Sequence, residues 1–380
     1  AGSGGVVAVS FGDGATNQGA SHEAFVFAIS RALPVVFVCE NNQWSEMTPI
    51  VDTVPGARLF ERAAGYGMPA LCVNGSDVGA VERAASEAVS RARNGGGPTF
   101  LEIEVPRILG HYNADLQMYR TQEDRDEHAA RDPLAHSRQA LQAAGWSDDQ
   151  LAEVESQVER SVQDAVTVAM GYALPDPETA GLHVVATSSF TARPALPTLG
   201  KDLAFGLAVN RAIDTELEQR PEVVVFGEDI AIPGGTFGVT RNLRKRHGDS
   251  RVFDTPISEA AILGAALGCS LEGMKPIVEI MWADFMLVAF DQLVNQAANV
   301  RYISSGRVHA PMVVRMQQGA TPGSCAQHSQ SLEALLTHIP GLKVGLPSNA
   351  QDGYAMLRAA VADPDPVILI EARALYLTQG

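Results

Sequence analysis

Two short apolar runs, each ending in a polar motif, limit this chain more than any other feature. Gly5-Val6-Val7-Ala8-Val9-Ser10 leads into Phe11-Gly12-Asp13-Gly14-Ala15-Thr16-Asn17-Gln18-Gly19, and Pro34-Val35-Val36-Phe37-Val38-Cys39 leads into Glu40-Asn41-Asn42-Gln43-Trp44. Between them, Ser21 to Arg31 carries Ala, Phe and Ile at helical spacing. Run, helix and run predict two buried parallel strands joined by a covering helix. Both motifs then fall just past strand carboxyl ends, where open α/β sheets place their ligands.

The residue types in those motifs suit one kind of ligand. Gly12 and Gly14 let the backbone approach a bound group closely, and the helix that follows starts with unpaired N–H groups that favour anions. Asp13 is a hard, charged oxygen donor and the Asn42 side-chain carbonyl a neutral one. Mg²⁺ takes a few such oxygens together with phosphate oxygens in octahedral geometry. A diphosphate held through Mg²⁺ is the natural reading. A Gly-rich turn beside an unrelated Asn-rich loop is the bland alternative, and the placement of both motifs after predicted strands speaks against it.

The Gly-Asp-Gly and Asn-Asn pair resembles the thiamine-diphosphate motif. The fuller string GDGATNQG…FVFAISRALPVVFVCENNQW looks like the α part of the E1 component of 2-oxo acid dehydrogenase complexes. That resemblance implies that Asp13 and Asn42 ligate Mg²⁺ through side chains and Trp44 through its backbone carbonyl. It also implies that Gly12, Asp13, Gly14 and Ala15 line the cofactor. Relatives often carry Tyr at the Trp44 position, a change that a backbone ligand tolerates.

Composition narrows the class. A formal net charge of −16 over 380 residues argues against a general nucleic-acid or anionic-membrane binder. No apolar run is long enough for a transmembrane helix, and no signal peptide is evident. Cys39, Cys72, Cys269 and Cys325 show no Cys-x-x-Cys spacing, so reduced thiols in a cytoplasmic enzyme fit best. The chain opens on Ala1 and ends on Gly380 close to predicted strands, as a piece of a longer polypeptide would.

Alternation continues to about Met170: a strand over residues 69–73, a helix over 77–93, a strand over 99–105, then a loop, and helices over 123–144 and 147–170. The loop, Pro106 to Arg120, has little periodicity and many polar and aromatic residues, and it follows a strand. It resembles the E1α loop that closes over the cofactor, which maps His111 onto that loop's histidine. Leu109 and Tyr112 depart from pyruvate-type relatives and leave the substrate open. Residues 173–197, rich in Pro and Thr/Ser, read as a linker or extended arm.

A second α/β half restarts after it. A helix with Leu203, Leu207, Ile213 and Leu217 on one face is expected over residues 201–220, then a strand over 223–226 ending in Gly227-Glu228-Asp229. Arg241, Arg244, Lys245, Arg246 and His247 read as a solvated basic helix end. Further strand–helix repeats cover 252–271, 276–303, 312–338 and 342–370. The landmarks FGEDI, DTPISEAAI, AQHSQ and GLKVGLPSN resemble the E1β part of the same enzymes. This similarity implies that Glu259 hydrogen-bonds the cofactor's aminopyrimidine ring, that His328 moves a proton at the substrate, and that Glu228 is a cofactor-binding residue, the buried acid that lies between the two cofactor sites. A dipole-favouring helix acid and a structural strand-end acid are the bland alternatives for Glu259 and Glu228.

The expected architecture is therefore α/β, with two parallel-sheet domains of thiamine-diphosphate-binding fold. Residues 1–172 would form an E1α-like diphosphate domain lacking its N-terminal part, 173–197 a linker, and 198–380 an E1β-like pyrimidine domain lacking its C-terminal domain. Resemblance implies oxidative decarboxylation of a 2-oxo acid, reductive acylation of a lipoyl-bearing E2 acyltransferase, and a homo-oligomer. The alternatives are an acetoin-cleaving dehydrogenase, a transketolase-like carboligase, or a catalytically silent cofactor-binding scaffold.

Overall fold

A computed structural model describes residues 3–187, 197–200 and 202–380. The chain divides into two compact units, Ala1–Pro175 and Asp176–Gly380.

The first unit is built on four parallel strands, β1 (Val7–Gly12), β2 (Val35–Asn41), β5 (Ala70–Asn74) and β6 (Thr99–Glu104), in the order β1-β2-β6-β5. A two-stranded antiparallel hairpin, β3 (Trp44–Ser45) and β4 (Thr48–Pro49), follows β2. Helices α1 (Gly19–Ser30), α2 (Leu59–Ala64) and α3 (Val78–Arg93) connect the strands. Phe25 of α1, Phe37, Leu59 and Phe100 form an aromatic-rich core cluster, with Phe25 edge-on to Phe37 at 4.9 Å between ring centres. Asp77 starts α3 by accepting the Ala80 N–H at 3.0 Å. Helices α4 (Gln122–Ala130), α5 (Pro133–Ala143) and α6 (Asp148–Met170) follow the loop, and Ser147 and Gln150 cap α6 reciprocally.

The sequence reading of β1 as a buried strand is corrected: Val7 and Val9 are 59% and 40% exposed. β1 is the edge of its sheet, paired to β2 alone. An apolar run shows that a strand can be covered, not what covers it.

The second unit holds a six-stranded parallel sheet in the order β11-β12-β10-β9-β7-β8. Its strands are β7 (Val223–Gly227), β8 (Val252–Asp254), β9 (Lys275–Ile280), β10 (Val313–Gln318), β11 (Lys343–Gly345) and β12 (Val367–Ala372). Helices α7 (Phe205–Gln219), α8 (Leu243–His247), α9 (Glu259–Leu271), α10 (Val300–Ile303), α11 (Glu333–Thr337) and α12 (Ala350–Ala362) accompany them. Helices α7 and α12 share a core cluster with Val223, Val225, Ile277, Val313 and Leu369 of the strands. Each fully buried Val, Leu, Ile or Phe there contributes about 1.5–3 kcal/mol, so these two helices hold one face of the sheet.

Two readings of this half change. The helix begins at Phe205; Leu203 lies outside it and Leu207 is 57% exposed, so its buried face runs through Phe205, Val209, Ile213 and Leu217. Lys201 lies outside the described residues. The single helix expected over 285–303 is a 3₁₀ segment (Ala283–Ala289), a π-helical segment (Gln292–Ala297) and α10. Of the expected linker, 188–196 lie outside the described residues; before them Pro177–Thr179 forms a 3₁₀ turn and the Ala186 N–H donates to Asp365 Oδ2 at 2.8 Å.

A charged network crosses the second sheet through strands that are otherwise largely apolar. Arg315, fully buried, donates from Nη1 to Glu279 Oε2 at 2.6 Å and from Nε and Nη2 to the two Glu371 oxygens at 2.8 Å each. The Tyr376 hydroxyl donates to Glu371 Oε2 at 2.6 Å. Burial pushes the Glu279 carboxyl up, against the opposing pull of Arg315. For Arg315, burial disfavours the charge, but Glu371 and Glu279 together hold its pKa above the ordinary value.

Candidate active site

In the first unit, β1 and β2 are register neighbours, with Gly12 beside Glu40, so both polar motifs emerge side by side. Asp13 opens a 3₁₀ turn (Asp13–Asn17) at the end of β1 and is 2% exposed. Its carboxylate accepts backbone N–H groups from Asn42 and Gly14, yet Oδ2 is buried with no hydrogen-bond partner. Burial pushes the Asp13 carboxyl above its usual range; the backbone donors and Arg107 pull the other way. A buried carboxylate oxygen without a partner costs about 1–3 kcal/mol, a cost that a cation at that oxygen removes.

The Asn pair divides the labour. Asn41 is buried and structural: its Nδ2 donates to Glu102 Oε1 at 2.6 Å and its Oδ1 accepts the Gln43 N–H at 2.9 Å. Glu102, also buried, accepts the Phe60 N–H at 2.8 Å through its other oxygen. Asn42 accepts the Trp44 N–H at 2.9 Å, which turns the chain into the hairpin. That hairpin rests directly on the Asp13 turn, because a Cβ on Gly14 would strike Ser45 Cβ at 2.8 Å and Ser45 Oγ more closely still. At Gly12 an added Cβ would meet nothing within 4 Å. The Gly-Asp-Gly turn is thus closed under Gly14 and open above Gly12. The described residues hold no cluster of three or more His, Cys, Asp and Glu, so a metal here would rely on Asp13 and neutral oxygens.

Two arginines that the sequence reading did not assign complete this region. Arg107, just past β6, is buried and donates to the Glu46 carbonyl; its guanidinium lies 5.7 Å from the Tyr119 ring centre. Arg120 is buried, lies 5.8 Å from the Trp44 ring centre, and has an Nη2 with no hydrogen-bond partner. The Trp44 and Tyr119 rings meet edge-on at 5.3 Å. An unpartnered carboxylate oxygen and an unpartnered guanidinium nitrogen in one unit are what a metal–diphosphate pair would satisfy. The signal available in the sequence was position: Arg107 follows a strand end, and Arg120 closes the loop.

His111 stands apart from that cluster. Its ring is exposed and, among the described residues, its one ring contact is with Tyr112, at 6.4 Å. The loop is organised by Asp115, which accepts the His111 N–H at 2.7 Å, the Gln117 N–H at 2.8 Å and the Tyr119 hydroxyl at 2.6 Å. The Tyr119 hydroxyl and those backbone donors hold the Asp115 carboxyl below its ordinary range.

In the second unit the candidate residues follow neighbouring strands. Glu259, 8% exposed, opens α9 after β8; Glu228, also 8% exposed, follows β7; His328 follows β10. In the order β8-β7-β9-β10, the strands that Glu259 and His328 follow have β7 and β9 between them. The His328 ring packs edge-on against Trp282 at 5.0 Å and Phe285 at 5.4 Å, and its Nδ1 lies 3.5 Å from Cys325 Sγ. Arg373, after β12, anchors this loop: Nη2 donates to the His328 carbonyl at 2.6 Å, Nη1 to Ser324 Oγ at 3.2 Å, and the guanidinium lies 4.4 Å from the Trp282 ring centre. Trp282 and Arg373 went unassigned in the sequence reading because neither belongs to a recognisable motif.

Residues 1–178 match the family model described as dehydrogenase E1 component, and residues 201–379 match that described as transketolase, pyrimidine binding domain. Among curated relatives, the acetoin:2,6-dichlorophenolindophenol oxidoreductase subunit beta of Cupriavidus necator is 46% identical over 192 residues, 48% of this chain and 56% of that protein. A pyruvate dehydrogenase E1 component subunit beta of Acholeplasma laidlawii is 45% identical over 169 residues, 44% of this chain and 52% of that protein. A 2-oxoisovalerate dehydrogenase subunit beta of Pseudomonas aeruginosa is 46% identical over 169 residues, 44% of this chain and 48% of that protein. The chain spans about half the length of the curated relatives it matches. A transketolase from Leishmania mexicana shares the fold, with a TM-score of 0.62 at 16% identity over 97% of this chain and 55% of that one. No helix among the described residues is long and apolar enough to cross a membrane. Two parallel α/β units thus match one family model each in a single polypeptide, the unit that carries Asp13 the model described as dehydrogenase E1 component and the unit that carries Glu259 and His328 the model described as transketolase, pyrimidine binding domain.

Proposed function

We propose that the protein is a cytoplasmic, homo-oligomeric E1-type enzyme that uses thiamine diphosphate and Mg²⁺ to decarboxylate a 2-oxo acid and acylates a lipoyl-bearing E2 partner. The observation that carries this reading is Asp13, a buried carboxylate with one oxygen unpartnered, set between the Gly12 opening and the Asn42 turn. Asp13 and the Asn42 side chain would hold Mg²⁺, with the Trp44 carbonyl as a further oxygen, and Arg107 and Arg120 would balance the diphosphate charge. When bound, thiamine diphosphate supplies a nucleophilic carbon and an electron sink for decarboxylation. Glu259 would hold a proton at the pyrimidine ring nitrogen, from a site walled off from water. Glu228 would help order the pyrimidine end of the site. His328, clamped between Trp282 and Phe285, would give and take a proton at the substrate oxygen, and His111 would approach the substrate from its loop.

Calorimetric titration of thiamine diphosphate into the protein, with Mg²⁺ and with chelator, tests the cofactor; Asp13→Ala should abolish the saturable, metal-dependent heat. Reduction of 2,6-dichlorophenolindophenol with pyruvate, 2-oxoisovalerate and acetoin in turn, then lipoamide as acceptor, tests the substrate. The similarity to an acetoin oxidoreductase subunit favours acetoin cleavage as the second reading, and turnover of acetoin alone would establish it. Tight cofactor binding without any turnover would leave a silent scaffold, and no binding by the folded protein would overturn the enzyme reading.

A further inference from the structure

The basic run that reads as a solvated helix end lines a concavity. About 550 Å³ of space is bounded by Leu207 and Asn210 of α7 and by Arg241, Asn242, Lys245 and Arg246 at the start and side of α8, with Gly238 at its rim. Three of the lining residues are cationic and none is acidic, on a chain whose acidic residues outnumber its basic ones by 44 to 28. Arg241 and Lys245 make no ion pair among the described residues. Arg246 is held from behind: it donates to Asp214, a carboxylate only 1% exposed that also takes His247 Nε2 at 2.8 Å and approaches Arg211 at 3.4 Å. One buried carboxylate therefore answers two arginines and a histidine, and the concavity keeps a positive excess.

The backbone around it is fixed. Val239 and Leu243 are buried in the core cluster on either side of Arg241, which turns the intervening arginine outward. The Thr240 hydroxyl donates to the Ile230 carbonyl at 2.6 Å, and Asn210 Nδ2 donates to the Val239 carbonyl at 2.6 Å and the Arg241 carbonyl at 3.3 Å. Asn210 thereby ties up two carbonyls that would otherwise repel an anion. Clustered cations on a rigid frame repel one another until an anion lies between them, and a guanidinium matches phosphate oxygens two at a time. The space is of small-ligand size, and Leu207, 57% exposed, offers an apolar floor beside the cations.

We propose that this concavity is a binding site for a small phosphorylated molecule, read by Arg241, Lys245 and Arg246 with its body against Leu207. None of these residues is among the cofactor or substrate groups above, and the site stands whether or not thiamine diphosphate is the cofactor.

The test is calorimetric titration of the protein with pyrophosphate in chelator, which silences metal-dependent binding at the Asp13 turn. One saturable site is expected. The R241Q/K245Q variant should weaken it at least tenfold, R241K/K245R should stay within about threefold, and Asp13→Ala should leave it unchanged. Parallel titrations with inorganic phosphate and with adenosine monophosphate identify the source: tighter binding of the ester assigns a phosphorylated metabolite, tighter binding of the bare ion assigns free phosphate. Equal affinity in the parent and R241Q/K245Q, no saturable binding by the folded protein, or loss only in Asp13→Ala would each overturn the assignment.

Discussion

Placing alanine at Gly14 tests whether the hairpin and the Asp13 turn are built as one piece. The new Cβ would sit 2.8 Å from Ser45 Cβ and 3.5 Å from Ser45 Cα, with Ser45 Oγ nearer than either. Carbon atoms pack at about 3.5–4.0 Å, so the clash is with the Ser45 side chain and not with its backbone. Overpacking of this size costs about 1–3 kcal/mol. The part that yields should be the hairpin, since it is only two residues paired with two. Its displacement would pull at the Asn42–Trp44 hydrogen bond and at the Trp44–Tyr119 contact, and thus at the proposed metal ligands. In urea unfolding followed by tryptophan fluorescence, Gly14→Ala should lose about 1–3 kcal/mol. Ser45→Gly added to it should restore most of the loss, because only Cα at 3.5 Å remains, whereas Ser45→Ala keeps Cβ at 2.8 Å and should restore little. A coupling energy of about 1–2 kcal/mol is expected from the Gly14/Ser45→Gly cycle, after the ordinary ~0.5–1 kcal/mol cost of glycine in a strand cancels. Metal-dependent thiamine diphosphate affinity should fall and recover in parallel. Coupling within about 0.3 kcal/mol of zero, or rescue by Ser45→Ala as complete as by Ser45→Gly, would refute the packing argument.

Arg315→Leu should cost about 3–5 kcal/mol in urea unfolding by leaving Glu279 and Glu371 buried without their cation, and adding Glu279→Gln and Glu371→Gln should recover much of it. Asp13 carries a pH signature: burial raises its carboxyl, so the stability linked to this group is full below the ordinary carboxylate range and is lost as pH rises through the raised value. Metal-free Asp13→Asn should therefore melt above the parent at neutral pH, with the gap closing as pH falls; a gap that widens on acidification would contradict the assignment. The same variant should lose metal-dependent cofactor binding, a stability gain at the expense of function. His328→Gln should leave thiamine diphosphate affinity within about twofold of the parent while turnover of the 2-oxo acid falls about 10²–10⁴-fold, the range for a lost general acid–base. Equal losses in both would make His328 a packing residue.

Some of this protein could be read directly from the order of its residues. Apolar runs alternating with helical spacing forced parallel α/β sheets, because a strand buried on both faces needs a covering helix between it and the next. Motifs at strand ends marked Asp13 and Asn42, since a parallel sheet brings every carboxyl end to one edge, whereas Glu259 and His328 were reached only through the resemblance of DTPISEAAI and AQHSQ to the E1β part. Helix starts near residues 77 and 147 were legible because a cap acts over three residues, though only the structure chooses Asp77 over Ser76 as the first cap.

What escaped the sequence depends on neighbours far along the chain. Arg315 looks out of place in an apolar strand until β9 and β12 flank it with Glu279 and Glu371, 36 and 56 residues away. Leu207 fits a helical face by spacing but points to solvent, because α12 packs against the face that carries Phe205 and Val209. Gly14 could be excused as a turn residue; only the return of Ser45 shows that it leaves room for a hairpin. Arg241 and Lys245 read as solvated charges until α7 supplies the second wall of their concavity. Local pattern reports which face a residue can use, within a turn or two of chain. Which group arrives to meet that face is decided by tertiary contacts across tens of residues, and the unpartnered oxygen of Asp13 is visible only once those contacts are made.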